Sequence, residues 1–85
     1  MVDEELINLR RQLNQIDNQL LQLLEARFEI INQVGEFKKD KGIPIEDLDR
    51  EKEIIESKCA KTDLDEEFIK KLFNIIFEES KRLQK

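Results

Sequence analysis

The chain has 85 residues, of which 41% are charged and 39% hydrophobic, with only two glycines and one proline. That balance excludes disorder by low hydrophobicity, suits long helices rather than many turns, and describes one domain near the lower limit for building a core alone. The net charge of −5 argues against nucleic acid and anionic membranes as partners, because both require a cationic footprint.

The first predicted element runs from about Asp3 to about Asp40. Asp3 is suited to cap it, and Glu4 and Glu5 fall in the first turn, where the helix dipole favours negative charge. Apolar residues then recur at steps of three and four through Leu6, Leu9, Leu13, Ile16, Leu20, Leu23, Ile30, Val34 and Phe37. This is a heptad-like stripe interrupted at Arg27. Lys41, Gly42, Ile43 and Pro44 end it, through a glycine suited to a left-handed cap and a proline that cannot continue the helix. A second amphipathic helix begins near Asp47, carries Leu48, Ile54 and Ile55, and fades around Lys61. The third starts after Asp65, with Leu64 and Ile69 at the positions of a hydrophobic staple. Its apolar face is Ile69, Leu72, Phe73, Ile76 and Leu83, interrupted by Ser80. The fold class is therefore all-α, with one long and two shorter helices in a single domain spanning 1–85.

Helix length sets a further constraint. A helix of ~37 residues is roughly 55 Å long, whereas a compact chain of this size has a diameter near ~30 Å. The apolar stripe nevertheless follows the whole helix, so its protruding half needs a cover. A second copy of the chain is the simplest one, and an intertwined two-fold homodimer is expected.

No apolar run approaches the ~18 residues of a membrane span, and no signal-peptide pattern opens the chain, so a cytoplasmic protein is expected. Histidine is absent and Cys59 stands alone. A zinc centre, a histidine-based nucleophile and an intrachain disulfide are thereby excluded. Chemistry must use Arg, Lys, carboxylates, Ser and amides.

Several such residues fall where the pattern calls for apolar ones. Arg27 on the seam either snorkels outward, pairs with a neighbouring Glu, or faces an anion. Lys38 follows it by three turns plus about 20° and so shares its face with Ile31 and Val34. A face mixing two cations with Ile and Val could be the wall of an anion pocket. Arg10 stands about 25 Å along and about 100° around from Arg27, too far to grip the same small ligand from one helix. In an antiparallel dimer Arg10 of one copy can approach Arg27 of the other, whereas Arg11 faces solvent. Asp47, Arg50 and Glu51 share one face at the start of the second helix, either as a cap with surface ion pairs or as part of a site. Ser80 and Gln84 lie one turn apart on the third helix, and Ser80 either bonds back to its own carbonyl or serves a ligand.

This ordered series of polar residues resembles the all-helical (AroQ-class) chorismate mutases. The likeness is carried by LINLRRQLNQID, LLEARFEIINQVGEFK, IPIEDLDREKEII and FIKKLFNIIFEESKRLQ, which together cover nearly the whole chain. The resemblance implies a dimer of three-helix chains with crossed first helices, and conversion of chorismate to prephenate in tyrosine and phenylalanine biosynthesis. It also implies a site of Arg10 from the partner copy with Arg27, Lys38, Asp47, Arg50, Glu51, Ser80 and Gln84. By that resemblance Arg10 and Arg27 hold the substrate carboxylates, and Lys38 and Gln84 bond the ether oxygen. Glu51 meets the ring hydroxyl, Ser80 assists a carboxylate, and Asp47 and Arg50 shape the rim. The implied catalytic set is Lys38, Gln84, Arg27 and Glu51, with no metal and no cofactor. Lys81 departs from the pattern, standing where the family often has an apolar pocket residue; it either turns outward or adds a charge to the rim. No dehydratase, dehydrogenase or allosteric segment is recognisable, so a monofunctional enzyme is expected. Two other readings remain: an isochorismate–pyruvate lyase, and a non-catalytic helical dimerisation module.

Overall fold

The computed structural model describes residues 3–85 and contains α1 (Glu4–Lys41), α2 (Leu48–Ala60) and α3 (Glu66–Gln84). Among the described residues there is no strand, and no helix is long and apolar enough to cross a membrane. The all-α, three-helix architecture read from the periodicity is the one observed, with boundaries within a residue or two of those expected.

Each helix end has a local cause. The Asp3 carboxylate accepts from the backbone N–H of Glu5 at 3.0 Å, satisfying a donor that the first turn leaves orphaned. Asp47 caps α2 by accepting from the Arg50 N–H at 3.0 Å, and Asp65 caps α3 by accepting from the Phe68 N–H at 3.0 Å. At the other end of α1, Gly42 takes φ 67°. Its N–H donates to the Lys39 carbonyl and that of Ile43 to the Lys38 carbonyl, at 3.3 and 2.8 Å. These two bonds make a Schellman turn, which requires the left-handed residue that glycine supplies without a Cβ clash.

The chain divides into two compact units, one ending at Ile30 and the other comprising Ile31–Lys85. The first is the greater part of α1, and its stripe is open to solvent. Leu9, Leu13, Ile16, Leu20 and Leu23 are between 50% and 69% exposed. In the second unit α2 packs against α3, and the buried apolar residues are Ile69, Ile76 and Phe77. Phe77 was not part of the apolar face expected from the sequence. It lies one turn after Phe73, with ring centroids 6.0 Å apart and planes tilted by 50°, an arrangement favoured by the ring quadrupoles. Leu64 is 61% exposed, so the staple expected with Ile69 covers little of it.

Gly35 is the buried residue of α1. A Cβ there would stand 2.9 Å from Cγ of Gln84 and 3.3 Å from its Cα. Absence of a side chain at Gly35 thus lets the last turn of α3 lie directly against the α1 backbone.

Replacing Gly42 by Ala should cost about 1 kcal/mol, the penalty for a Cβ in the left-handed region. Urea unfolding at fixed protein concentration would read this as a lower midpoint with unchanged slope, and Gly42→Asn should lose less. An unchanged midpoint for both would show that this turn does not limit stability.

Candidate functional site

Lys38 lies in the last turn of α1, and its ammonium reaches past the helix end. Nζ donates to the backbone carbonyl of Ile45 at 2.9 Å in a half-buried setting. The Schellman turn makes this reach short by folding the segment after Gly42 back beside the helix terminus. A carbonyl is a neutral acceptor, so it fixes the position of the ammonium without cancelling its charge. An ammonium has three donors, and the Ile45 carbonyl takes one of them.

Residues 46 and 47 follow directly. Glu46 is exposed, yet its carboxylate accepts from Lys81 of α3 at 3.1 Å. The same Lys81 Nζ lies 2.9 Å from Glu51 Oε2 on α2, and both side chains of this second pair are mostly covered, at 28% and 19% exposure. Hydrogen bonds from Glu51 and then Glu46 push the Lys81 ammonium up from its ordinary pKa. Neither Glu46 nor the Lys81–Glu51 pair is legible in helical periodicity, because the partners lie on different elements.

Asp47 has its carboxylate occupied as the α2 cap. Arg50 points to solvent and pairs with Glu53 at 3.5 Å, with side chains 61% and 71% exposed, an arrangement worth little in water. Of the three residues expected to share a face here, Glu51 is the one turned toward α3.

On α3, Ser80 is 4% exposed, and its hydroxyl donates to the Ile76 carbonyl at 2.7 Å. In this rotamer its proton is given to its own helix. Gln84 donates Nε2 to the Ser80 carbonyl at 3.1 Å. Its Oε1 is buried and accepts no hydrogen bond from the described residues. The side chain is packed closely against Gly35.

Arg10 and Arg27 belong to the unit that ends at Ile30. Arg10 is exposed, whereas Arg27 is half-buried, and burial lowers its pKa from the ordinary arginine value. A guanidinium keeps its charge through such a shift. A shallow groove between α2 and α3, lined by Leu48, Ile55, Lys70 and Asn74 among others, includes Glu51 but none of the other expected site residues. The described residues hold no cluster of His, Cys, Asp or Glu able to bind a metal ion. Within Ile31–Lys85 the inward-facing residues of the expected site are one cation, Lys38, one amide, Gln84, one hydroxyl, Ser80, and one covered carboxylate, Glu51, a constellation of groups whose chemistry suits an anionic ligand.

Comparison with known proteins gives this constellation a family. The model for "Chorismate mutase type II" matches residues 9–85. A chorismate mutase of Methanocaldococcus jannaschii is 39% identical over 96% of this chain and 86% of its own length. The bifunctional chorismate mutase/prephenate dehydratase of Escherichia coli is 33% identical over 92% of the chain, which corresponds to 21% of that longer protein. Among solved structures, a conserved hypothetical protein from Pyrococcus furiosus superimposes with a TM-score of 0.83 at 33% identity, covering 99% of this chain and 100% of the other. With a family match over residues 9–85, the chain belongs to the type II chorismate mutases.

Proposed function

We propose that the chain carries out the reaction of its family, the rearrangement of chorismate to prephenate, and that Lys38 supplies the charge on which the rate depends. In this intramolecular Claisen reaction a C–C bond forms as the ether C–O bond breaks. No proton, electron or group is exchanged with the surroundings, so neither nucleophile nor cofactor is needed. The enzyme has to hold the enolpyruvyl side chain over the ring, and such positioning can be worth several kcal/mol. As the C–O bond lengthens, negative charge grows on the ether oxygen, and a fixed cation there favours the transition state over the ground state.

The observation that carries this reading is the half-buried Lys38 ammonium held at 2.9 Å by the neutral Ile45 carbonyl. Its charge is fixed in place but not spent on a carboxylate. Gln84 retains a second amide N–H beyond the one given to Ser80, and we assign it to the same oxygen. Arg27, together with Arg10 of a second copy, pairs with the two substrate carboxylates. Glu51 accepts the ring hydroxyl, and Ser80 assists a carboxylate by turning its proton from Ile76. Asp47 and Arg50 act from the rim, the first by capping the helix that carries Glu51.

The active form is a homodimer in the cytoplasm. Support for the dimer comes from the stripe Leu9, Leu13, Ile16, Leu20 and Leu23, which is at least half exposed in a single chain. Contiguous apolar surface of this kind marks an interaction face, and a heptad-like seam fits another such helix.

Purified protein given chorismate should consume it and release prephenate, while isochorismate should yield no pyruvate; the reverse pattern would identify a lyase. Lys38→Met should fold normally and lower kcat by about 10²–10³, the cost of removing one preorganised donor from developing charge. Arg27→Ala should abolish measurable turnover in a folded protein. If turnover were absent from the wild type and Arg27→Leu raised its stability, a scaffold would replace the enzyme reading. Sedimentation should give a dimer, and Leu13→Asp combined with Leu20→Asp should yield monomers and take the activity with it.

A further inference from the structure

Glu51 has a covered ion-pair partner, Lys81, that the proposed reaction does not use. Lys81 bridges two carboxylates from different parts of the unit, Glu51 of α2 at 2.9 Å and Glu46 of the α1–α2 connection at 3.1 Å. We propose that Lys81 is a positioning residue, which fixes one oxygen of Glu51 so that the other is aimed at the ring hydroxyl of the substrate. The proposal rests on the assignment of Glu51 as the acceptor of that hydroxyl.

Three features favour positioning over direct substrate binding. First, the Lys81 charge is shared between two carboxylates, so this group of three side chains is net negative and a poor anchor for a dicarboxylate. Lys38, with a neutral acceptor, is the better one. Second, the nearest approach of the ammonium is to one oxygen, Oε2 of Glu51. A carboxylate has two oxygens, and holding one of them fixes the plane and direction of the other. Third, the Lys81–Glu51 pair is mostly covered while Glu46 is 61% exposed. Glu46 thus acts as an outer tether on the lysine, and the geometry that matters is the inner pair.

The bridge has a second effect on the same carboxylate. An anionic substrate approaching Glu51 meets like charge, and an ammonium at 2.9 Å offsets that repulsion at short range. Losing Lys81 should therefore weaken substrate binding and also release Glu51 from its productive direction.

The test compares chorismate with an analogue that lacks the ring hydroxyl. Wild type, Lys81→Met, Lys81→Arg, Glu46→Gln, Glu51→Ala and the Lys81→Met/Glu51→Ala double variant would be assayed, each checked for helicity and dimer formation. Methionine keeps the length and helix propensity of lysine without its charge. Lys81→Met should lose roughly tenfold to a hundredfold in kcat/KM for chorismate, the range of a charge-assisted hydrogen bond. It should lose much less for the deoxy analogue. Lys81→Arg should recover most of the loss, and Glu46→Gln should show a smaller one. In the Glu51→Ala background, Lys81→Met should have no further effect, as expected when two residues act through one contact. Equal losses on both substrates, or full additivity with Glu51→Ala, would overturn the proposal and reduce Lys81 to a general helix contact. Unchanged activity in folded Lys81→Met would overturn it too. A wild type that turns over neither substrate would instead remove the functional reading, and the proposal with it.

Discussion

Lys38 is held at both ends by the chain that follows it. Its backbone carbonyl receives the Ile43 N–H at 2.8 Å, and its ammonium donates to the Ile45 carbonyl at 2.9 Å. Both bonds depend on the reversal at Gly42, the one residue with positive φ among those described. The backbone bond sets where α1 stops, and the side-chain bond sets where the charge stands. A lysine carries four rotatable carbons and pays side-chain entropy to be ordered. Its ordering is met within the folded chain, so the ammonium is a fixed charge rather than a floppy one.

The chain solves an electrostatic problem within this frame. It is acidic overall, with 20 acidic and 15 basic residues, yet its family acts on a doubly anionic molecule. The answer is a division of labour between lysines. Lys81 and Lys70 are neutralised by neighbouring carboxylates, whereas Lys38 is held by a neutral group. The half-buried Arg27 keeps its charge under partial desolvation, where a Coulomb interaction is felt more strongly than in water. Local wiring, not net charge, decides which cations stay available.

Much of this was legible in the sequence because it is local. The caps Asp3, Asp47 and Asp65, the glycine stop and the three amphipathic runs each depend on residues within a turn or so of one another, and they fell where the spacing put them. Phe77 was missed because the expected face was drawn through Leu72 and Leu83. A stripe through Ile69, Phe73, Ile76, Phe77, Ser80 and Gln84 would have included it. Lys81 and Glu46 escaped for a different reason. They meet across 35 positions, and no period relates a lysine on one helix to a glutamate in a distant connection. The family resemblance singled out Lys81 as a departure, but only the fold gave that departure a partner. For Arg50, the surface alternative was the better guide to its side chain, since it pairs with Glu53 in solvent.

The connection between α1 and α2 is six residues, 42–47, and its last three serve three different helices. The Ile45 carbonyl holds Lys38 of α1, the Glu46 carboxylate holds Lys81 of α3, and the Asp47 carboxylate starts α2. Loops usually tolerate insertion and deletion better than the elements they join. This one is an exception, because adding or removing a single residue before Ile45 would take its carbonyl out of register with Lys38, although the Asp47 cap, local to α2, would stay. Length variation among relatives, and any engineered graft of a tag or sensor, should therefore fall in the 61–65 connection instead.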